Sequence, residues 1–191
     1  MPGLILASTS PYRRELLERL RAPFSVLSPE VSEAGQPGEL PADRALRLAL
    51  AKAQAVAARE PGAVVIGSDQ VAACGDQVLH KPGDTAGACA QLAALSERSA
   101  RFYTACAVLG PRGVHLAHVD TTTVVFRRLS AAEIARYVEA ERPLDCAGAF
   151  KAEALGISLC ECIESQDPTA LIGLPLIWLA GALREAGFPL P

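Results

Sequence analysis

Short apolar runs alternate along the chain with longer segments of helical periodicity. Residues 4–7 and 63–67 are continuous apolar runs, which is typical of strands buried on both faces of a sheet. Between them, residues 43–59 repeat apolar positions every three or four residues and predict a long helix with Lys52 on its flank. This alternation predicts an α/β protein in which helices flank a mixed sheet.

Capping and turn residues divide the second half of the chain. Asp84 predicts the start of one helix, and the capping box Ser130-x-x-Glu133 predicts the start of another. Pro175 is expected to start the final helix. The other predicted strands are residues 24–27, 101–109, 114–128 and 156–164. Because the sequence shows no internal repeat and no flexible linker, we expect one domain over residues 1–191.

Composition and charge narrow the range of partners. Half of the 191 residues are apolar and the net charge is -3, which fits a globular protein and argues against a nucleic-acid polymer as the main partner. The N-terminal apolar run is too short for a signal peptide, and Pro175 interrupts the most apolar later stretch, residues 170–183. We therefore expect a cytoplasmic protein without a membrane segment.

The first chemically informative segment is Ser8-Thr9-Ser10-Pro11-Tyr12-Arg13-Arg14. It brings three hydroxyls and two arginines to a junction between a strand and a helix N-terminus, where unpaired N–H groups favour an anion. Arginines oppose the usual acidic preference of a first helical turn, and a bound phosphate would remove that conflict. An ordinary Ser/Thr cap with solvated arginines explains the same residues.

Lysine is rare in this chain, with three lysines against 15 arginines. A lysine is a compact charge that can approach one phosphate oxygen, so Lys52, Lys81 and Lys151 are phosphate-site candidates, the alternative being ordinary surface lysines. Asp69 is expected to end the strand at residues 63–67, where ligand crevices form in α/β sheets. A carboxylate that merely caps a turn is the other interpretation of Asp69.

Two glutamates near the C-terminus are further candidates. Glu153 lies in a stretch of small residues, 145–156, which would let the backbone approach a ligand closely. Strand alternation places Glu161 on the same face as Leu159 and Ile163, so we expect it to be buried and to need a cation or a metal. A solvent-exposed glutamate at a sheet edge is the alternative.

Six motifs follow one another in order along the chain: Ser8-Thr9-Ser10-Pro11-x-Arg13-Arg14, Lys52, Ser68-Asp69, Lys81-Pro82-Gly83, Ala147-Gly148 and Gly173-Leu174-Pro175-Leu176. Together they resemble the Maf family of nucleotide pyrophosphatases. The resemblance implies a Maf/Ham1-like α/β fold with two lobes around a cleft, often as a homodimer. It also implies cleavage of a nucleoside triphosphate between its α- and β-phosphates, with Mg²⁺ or Mn²⁺ as the divalent metal.

The resemblance also assigns roles to residues. Asp69 falls on the position of the family's proton acceptor, and the phosphate-side positions are occupied by Ser8, Arg13, Lys52 and Lys81, with Ser10 and Arg14 beside them in the same segment. For the metal, we expect Asp69 as a ligand, with Glu33 and Glu161 as further candidates.

Three positions indicate the substrate branch of the family. Tyr12, Gln70 and Glu153 depart from the branch that acts on dTTP and UTP, which carries arginine, threonine and glutamine there, and are similar to the branch that acts on 7-methyl-GTP. N7-methylated guanine is cationic, so Glu153 could pair with it, and Tyr12 or Phe150 could stack on it.

Two other functions are open from the sequence. The first is a pyrophosphatase for dTTP, UTP or another modified nucleotide. The second is a non-catalytic regulator of cell division that senses nucleotides. A sensor need not keep a general base, and the presence of Asp69 therefore favours an enzyme.

Overall fold

A computed structural model, which describes residues 2–191, contains seven strands and five α-helices. The strands are β1 Leu4–Ala7, β2 Ser25–Leu27, β3 Val64–Cys74, β4 Gln77–Leu79, β5 Ser99–Leu109, β6 His115–Phe126 and β7 Cys160–Glu164. The helices are α1 Pro11–Glu18, α2 Pro41–Ala57, α3 Thr85–Leu95, α4 Ala131–Glu141 and α5 Leu176–Glu185.

The strands form one mixed sheet in the order β2-β1-β3-β5-β6-β7, and β4 pairs with β3. β1 runs parallel to both of its neighbours, β2 and β3, whereas β6 and β7 are antiparallel. Parallel strands require crossover connections, and here α1 connects β1 to β2 while α2 connects β2 to β3, on the other side of β1. The predicted α/β class with a mixed sheet and flanking helices is confirmed.

The chain divides into two compact units. The first contains residues 1–70, 103–120 and 167–191, and the second contains residues 71–102 and 121–166. β3, β5 and β6 each supply residues to both units. No helix among residues 2–191 is both long enough and apolar enough to cross a membrane.

The core of the first unit lies against β1. Leu6 and Ile66 from neighbouring strands are fully buried, and Leu17 of α1 and Leu179 of α5 pack into the same apolar cluster. The continuous apolar runs seen in the sequence are therefore the inner strands of this unit, as expected for strands covered on both faces.

The core of the second unit is aromatic. The ring of Phe150 lies 6.0 Å from that of Phe102 and 5.3 Å from that of Phe126, measured between centroids. Gly148, at φ +70°, passes close to Leu79, and an added Cβ would come within 3.3 Å of that side chain. The small-residue stretch predicted to approach a ligand thus packs Gly148 against the protein's own core.

The predicted caps are confirmed, but several predicted boundaries are wrong. Asp84 accepts a hydrogen bond from Gly87 N at 2.7 Å, and the Ser130–Glu133 capping box is formed. α2 begins at Pro41 rather than at Asp43, which lies in its first turn, because proline suits the first helical position. Residues 156–164 are not one strand, since a 3₁₀ helix occupies Leu155–Leu159 before β7.

β3 is longer than the sequence predicts. The strand does not end at Gly67 but continues through Ser68, Asp69 and Gln70 to Cys74. Polar residues can remain inside a buried strand when each side chain has a partner, and all three do here. Asp69 therefore lies within the strand instead of at its carboxyl end.

Candidate functional site

The N-terminus of α1 is built by two serines. Ser10 is the N-cap, and its hydroxyl oxygen accepts a hydrogen bond from Arg13 N at 3.4 Å, while Pro11 occupies the first turn. The hydroxyl oxygen of Ser8, which is buried, accepts a hydrogen bond from Ser10 N at 3.1 Å. In both cases the hydroxyl oxygen is the acceptor, so each O–H can still donate to an anion.

Lys52 and Asp69 meet because α2 packs very closely on β3. A Cβ at Gly67 would lie 2.2 Å from Ala49 O and 2.6 Å from Ala53 N, so only glycine fits between the strand and the helix. Lys52 precedes Ala53 on the helix, and Asp69 follows Gly67 by two residues on the strand. The close approach lets Lys52 Nζ reach Asp69 Oδ1 at 2.6 Å.

Lys52 is held between two carboxylates. Its Nζ lies 2.6 Å from Asp69 Oδ1 and 2.5 Å from Glu33 Oε1. Lys52 and Asp69 are both buried, whereas the Glu33 side chain is 60% exposed. The prediction that Lys52 lies on the flank of its helix is wrong, because the charge is buried and requires these partners.

Arg13 completes a cluster of four charges. Burial lowers the pKa of Arg13, and the negative charges of Asp69 and Glu33 oppose that shift. The guanidinium stays protonated in any case, since arginine does not lose its proton in proteins. Arg13 thus lies in the field of the two carboxylates that pair with Lys52.

The loop that carries Glu33 is tied to α2. Arg44 donates to Glu33 O at 2.9 Å and Arg47 donates to Ala34 O at 3.1 Å. Arg47 also pairs with Glu39 through two hydrogen bonds, at 2.5 and 2.8 Å, which lowers the pKa of Glu39 to about 2. Three cationic side chains of α2 therefore hold the loop that carries Glu33: Arg44, Arg47 and, through the Glu33 side chain, Lys52.

A turn at residues 170–173 is hydrogen-bonded to side chains of α1, β3 and β5. Gly173, at φ +134°, presents a carbonyl oxygen that lies 3.1 Å from Arg13 Nε and 2.9 Å from Ser68 Oγ. Asp167 fixes the segment by accepting from Thr169 Oγ1 at 2.6 Å and from Ile177 N at 2.7 Å. The sequence motifs included Gly173 but neither Asp167 nor Thr169, because the hydrogen bonds of these two residues depend on the path of the folded chain.

The predicted site residues fall into two groups. The first unit contains Ser8, Ser10, Tyr12, Arg13, Arg14, Glu33, Lys52, Asp69 and Gln70. Of these, Arg14 is exposed and pairs with Glu18 at 3.1 Å, so the structure gives it a partner outside the charge cluster. The second unit contains Lys81, Glu153 and Glu161.

One prediction about the residues of the second unit is wrong. Glu161 is exposed, so the prediction that it is buried is wrong: the strand begins only at Cys160, and Leu159 belongs to the preceding 3₁₀ helix. Lys151 donates to Glu141 O at 2.9 Å, at the end of α4, so the structure gives this lysine a helix-capping contact. Lys81 and Glu153 are exposed.

The site offers two carboxylates to a divalent metal, which is fewer ligands than a complete metal site has. Among residues 2–191, no group of three or more acidic, histidine or cysteine side chains is arranged to hold a metal ion. Asp69 and Glu33, however, bring two carboxylates to one ammonium group. One or two carboxylates completed by substrate phosphates are a usual Mg²⁺ environment, so this pair fits such an ion.

Comparison with known proteins decides the family. The model of the Maf-like protein family matches residues 3–186. The chain belongs to the Maf-like family. A 7-methyl-GTP pyrophosphatase of Xanthomonas oryzae pv. oryzae is 60% identical and covers all of both chains. A 7-methyl-GTP pyrophosphatase of Cupriavidus metallidurans is 53% identical over 98% of this chain and 95% of its own.

A solved structure adds little to this relationship. The Staphylococcus aureus Ham1 protein superposes with a TM-score of 0.46 at 13% identity, covering 65% of this chain and 71% of that protein. A likeness this weak does not bear on the function. The Maf-like assignment rests on the sequence relatives and on the family model.

Proposed function

We propose that this Maf-like protein is a 7-methyl-GTP pyrophosphatase, which hydrolyses the α–β phosphoanhydride to 7-methyl-GMP and pyrophosphate. The observation that carries the proposal is the identity of 53–60%, over essentially the full chain, with relatives named for that activity. The reaction would remove a modified nucleotide from the cytoplasmic pool. A homodimer remains the expectation of the family resemblance.

The charge cluster supports phosphate binding in the first unit. Arg13 and Lys52 supply two positive charges beside the α1 N-terminus, where the hydroxyls of Ser8 and Ser10 can donate. Arg13 Nε donates to Gly173 O at 3.1 Å, which orients the guanidinium that would bind the phosphate. By the family resemblance, Lys81 of the second unit is a further phosphate-side residue.

Asp69 is the proposed proton acceptor. Lys52 holds its Oδ1, so the carboxylate is fixed in orientation and Oδ2 would take the proton of the attacking water. Its burial against α2 restricts its motion. The water would lose a proton to Asp69 as its oxygen attacks the α-phosphorus. The bond between the α-phosphorus and the bridging oxygen would break, and pyrophosphate would depart as the leaving group.

Asp69 and Glu33 are the proposed ligands of a divalent metal, Mg²⁺ or Mn²⁺. When bound, such an ion neutralises the triphosphate and lowers the pKa of a coordinated water. Lys52 already lies between the two carboxylates, so it would have to share them or shift. Glu161, which is exposed in the second unit, has no observation in favour of this role.

Tyr12 and Glu153 are the proposed specificity residues. The base of 7-methyl-GTP carries a positive charge, which a carboxylate can pair with and an aromatic ring can stack on. Phe150 is excluded as the stacking ring by its own packing, since it is buried between Phe102 and Phe126. Tyr12, which is partly exposed on α1, is then the aromatic residue for this contact.

A substrate panel tests the activity. Pyrophosphate release is measured from 7-methyl-GTP, GTP, UTP, dTTP and CTP with Mg²⁺ or Mn²⁺, and we expect the highest kcat/KM for 7-methyl-GTP. A preference for UTP or dTTP would keep the chemistry and overturn the substrate. Binding of nucleotide without any release would favour a nucleotide sensor.

Exchanging Glu153 for glutamine should reduce the preference for the cationic base. We expect Glu153→Gln to lower the ratio of kcat/KM for 7-methyl-GTP over GTP by about tenfold, since a charge-assisted hydrogen bond is lost. The exposed Glu139→Gln serves as the control, because it removes a carboxylate from the same unit. An unchanged ratio in the Glu153 variant would contradict the specificity role.

A further inference from the structure

The loop that carries Glu153 is hydrogen-bonded at both of its ends to the C-terminal part of α4. Before Glu153, Lys151 N donates to the hydroxyl oxygen of Tyr137 at 3.1 Å. After it, Leu155 N donates to Oε1 of Glu141 at 3.0 Å. Glu153 lies midway between these two contacts along the chain. The helix therefore fixes both where the loop begins and where it ends.

The backbone of this loop closes tightly on itself. Ala154 N donates to Lys151 O at 3.3 Å. A Cβ added at Gly156 would lie 2.3 Å from the same carbonyl oxygen, so only a residue without a side chain fits at this point. Because the turn is this short, the contacts at its ends determine the direction in which the chain presents Glu153.

The two anchors on α4 are themselves fixed. Tyr137 is buried and keeps its proton, because burial raises the pKa of Tyr137 and nearby negative charges, that of Glu153 among them, add to the shift. Glu141 contacts the loop twice. Besides the contact of its carboxylate with Leu155 N, its carbonyl oxygen accepts from Lys151 Nζ at 2.9 Å, where the helix dipole also favours a cation.

The side chain of Glu153 is left available by these contacts. It is exposed, and within residues 2–191 its carboxylate has no hydrogen-bond or ion-pair partner. The loop therefore holds the backbone of Glu153 and leaves the carboxylate to a ligand. A residue that contacts a substrate is effective when its neighbours hold it in place in this way.

We infer that Glu141 is a positioning residue for substrate selection: by accepting from Leu155 N and from Lys151 Nζ, it holds the loop in which Glu153 meets the nucleobase. Glu141 itself does not contact the nucleotide in this role. The inference rests on the proposed function, in which the carboxylate of Glu153 pairs with the cationic base of 7-methyl-GTP. It adds a residue of α4 to the determinants of specificity.

Two variants of Glu141 separate its hydrogen bond from its charge. Glu141→Ala removes the acceptor of Leu155 N, which is exposed enough for water to replace it, so we expect the variant to fold. Glu141→Gln removes the charge but keeps an oxygen of the same reach, so the hydrogen bond to Leu155 N can still form. Glu139→Ala removes an exposed carboxylate from the same helix and is the control.

The measurements are kcat and KM for 7-methyl-GTP and for GTP. We expect Glu141→Ala to lower the ratio of kcat/KM for 7-methyl-GTP over GTP by about three- to tenfold, the effect of one hydrogen bond, mainly through KM for 7-methyl-GTP. The ratio for Glu141→Gln and for Glu139→Ala should stay close to the wild-type value. A merely structural role would lower kcat for both nucleotides by one factor, through loss of folded enzyme, and leave the ratio unchanged.

A double variant tests whether Glu141 acts through Glu153. In the Glu153→Gln background, Glu141→Ala should cause no further fall in the ratio, because the carboxylate that it positions is already gone. An additive fall would mean that Glu141 influences the base by another route, and it would overturn the inference.

Two further outcomes would also overturn it. If Glu153→Gln lowers the ratio and Glu141→Ala does not, the inference fails and the proposed function stands. If Glu141→Ala and Glu141→Gln lower the ratio equally, the charge of Glu141 matters and its hydrogen bond does not.

Failure of the proposed function gives a different result. If the wild type prefers another nucleotide, the ratio of kcat/KM for that nucleotide over the others replaces the first ratio, and the same comparison of Glu141→Ala with Glu141→Gln tests the role of Glu141. A wild type that hydrolyses no nucleotide would refute both.

Discussion

Asp69→Asn is expected to lower kcat for 7-methyl-GTP by a factor of roughly 10²–10⁴, the range found when a general base is removed. Asparagine has the same shape and keeps an oxygen for Lys52 Nζ, which lies 2.6 Å from Asp69 Oδ1. It cannot take a proton from water. The measurement is the initial rate of pyrophosphate release at saturating substrate, with wild type and variant at equal concentrations of folded protein.

Two observations separate catalysis from folding in this experiment. Asp76→Asn removes a carboxylate from the exposed turn that follows β3 and should keep the wild-type rate. The thermal midpoint of Asp69→Asn shows how far the buried pair matters for stability, since Lys52 would retain Glu33 as its partner. A rate for Asp69→Asn within threefold of the wild type would exclude Asp69 as the proton acceptor.

Gly67→Ala is expected to destabilise the fold and to inactivate the enzyme together. The added Cβ would meet Ala49 O at 2.2 Å and Ala53 N at 2.6 Å, and these are backbone atoms of α2 that no rotamer change can move. Overpacking of this kind costs typically ~1–3 kcal/mol, and a backbone clash lies at the upper end of that range. If α2 shifts outward, Lys52 also moves away from Asp69.

Gly62→Ala is the matched control, because a Cβ there would have no atom within 4 Å and the residue precedes the same strand. The free energy of unfolding from urea titration and kcat/KM are measured for both variants. We expect Gly62→Ala to match the wild type in both quantities. Equal stability of the Gly67 and Gly62 variants would mean that α2 does not need to lie so close to β3.

The sequence was sufficient to predict where a helix starts when a single capping residue determines that start. Asp84 and Ser130 each satisfy an N–H group at a helix start, and this chemistry is visible without tertiary structure. The length of β3 was not visible, because Ser68 and Gln70 stay in the strand only through partners distant in the chain. The burial of Glu161 was mispredicted because alternation was counted through a 3₁₀ helix as if it were a strand.

The residues of the candidate site could be predicted from the sequence, but the contacts between them could not. The Maf motifs pointed to Arg13, Lys52 and Asp69, which the structure brings into one cluster. The contacts of Gln70 could not be predicted, because its acceptors are backbone carbonyls of the turn and a hydroxyl of β5. Such contacts depend on the path of the chain and on no residue pattern.

α2 carries Lys52 together with Arg44 and Arg47, which hold the Glu33 loop. A transient local opening of this helix would release the lysine, the loop and the second carboxylate in one event. We therefore expect Lys52, the Glu33 loop and α2 to open as a single cooperative unit in hydrogen exchange. On this basis we expect an opening of α2 to remove Lys52 and Glu33 from Asp69 together, so the population of competent enzyme cannot exceed the population with α2 closed.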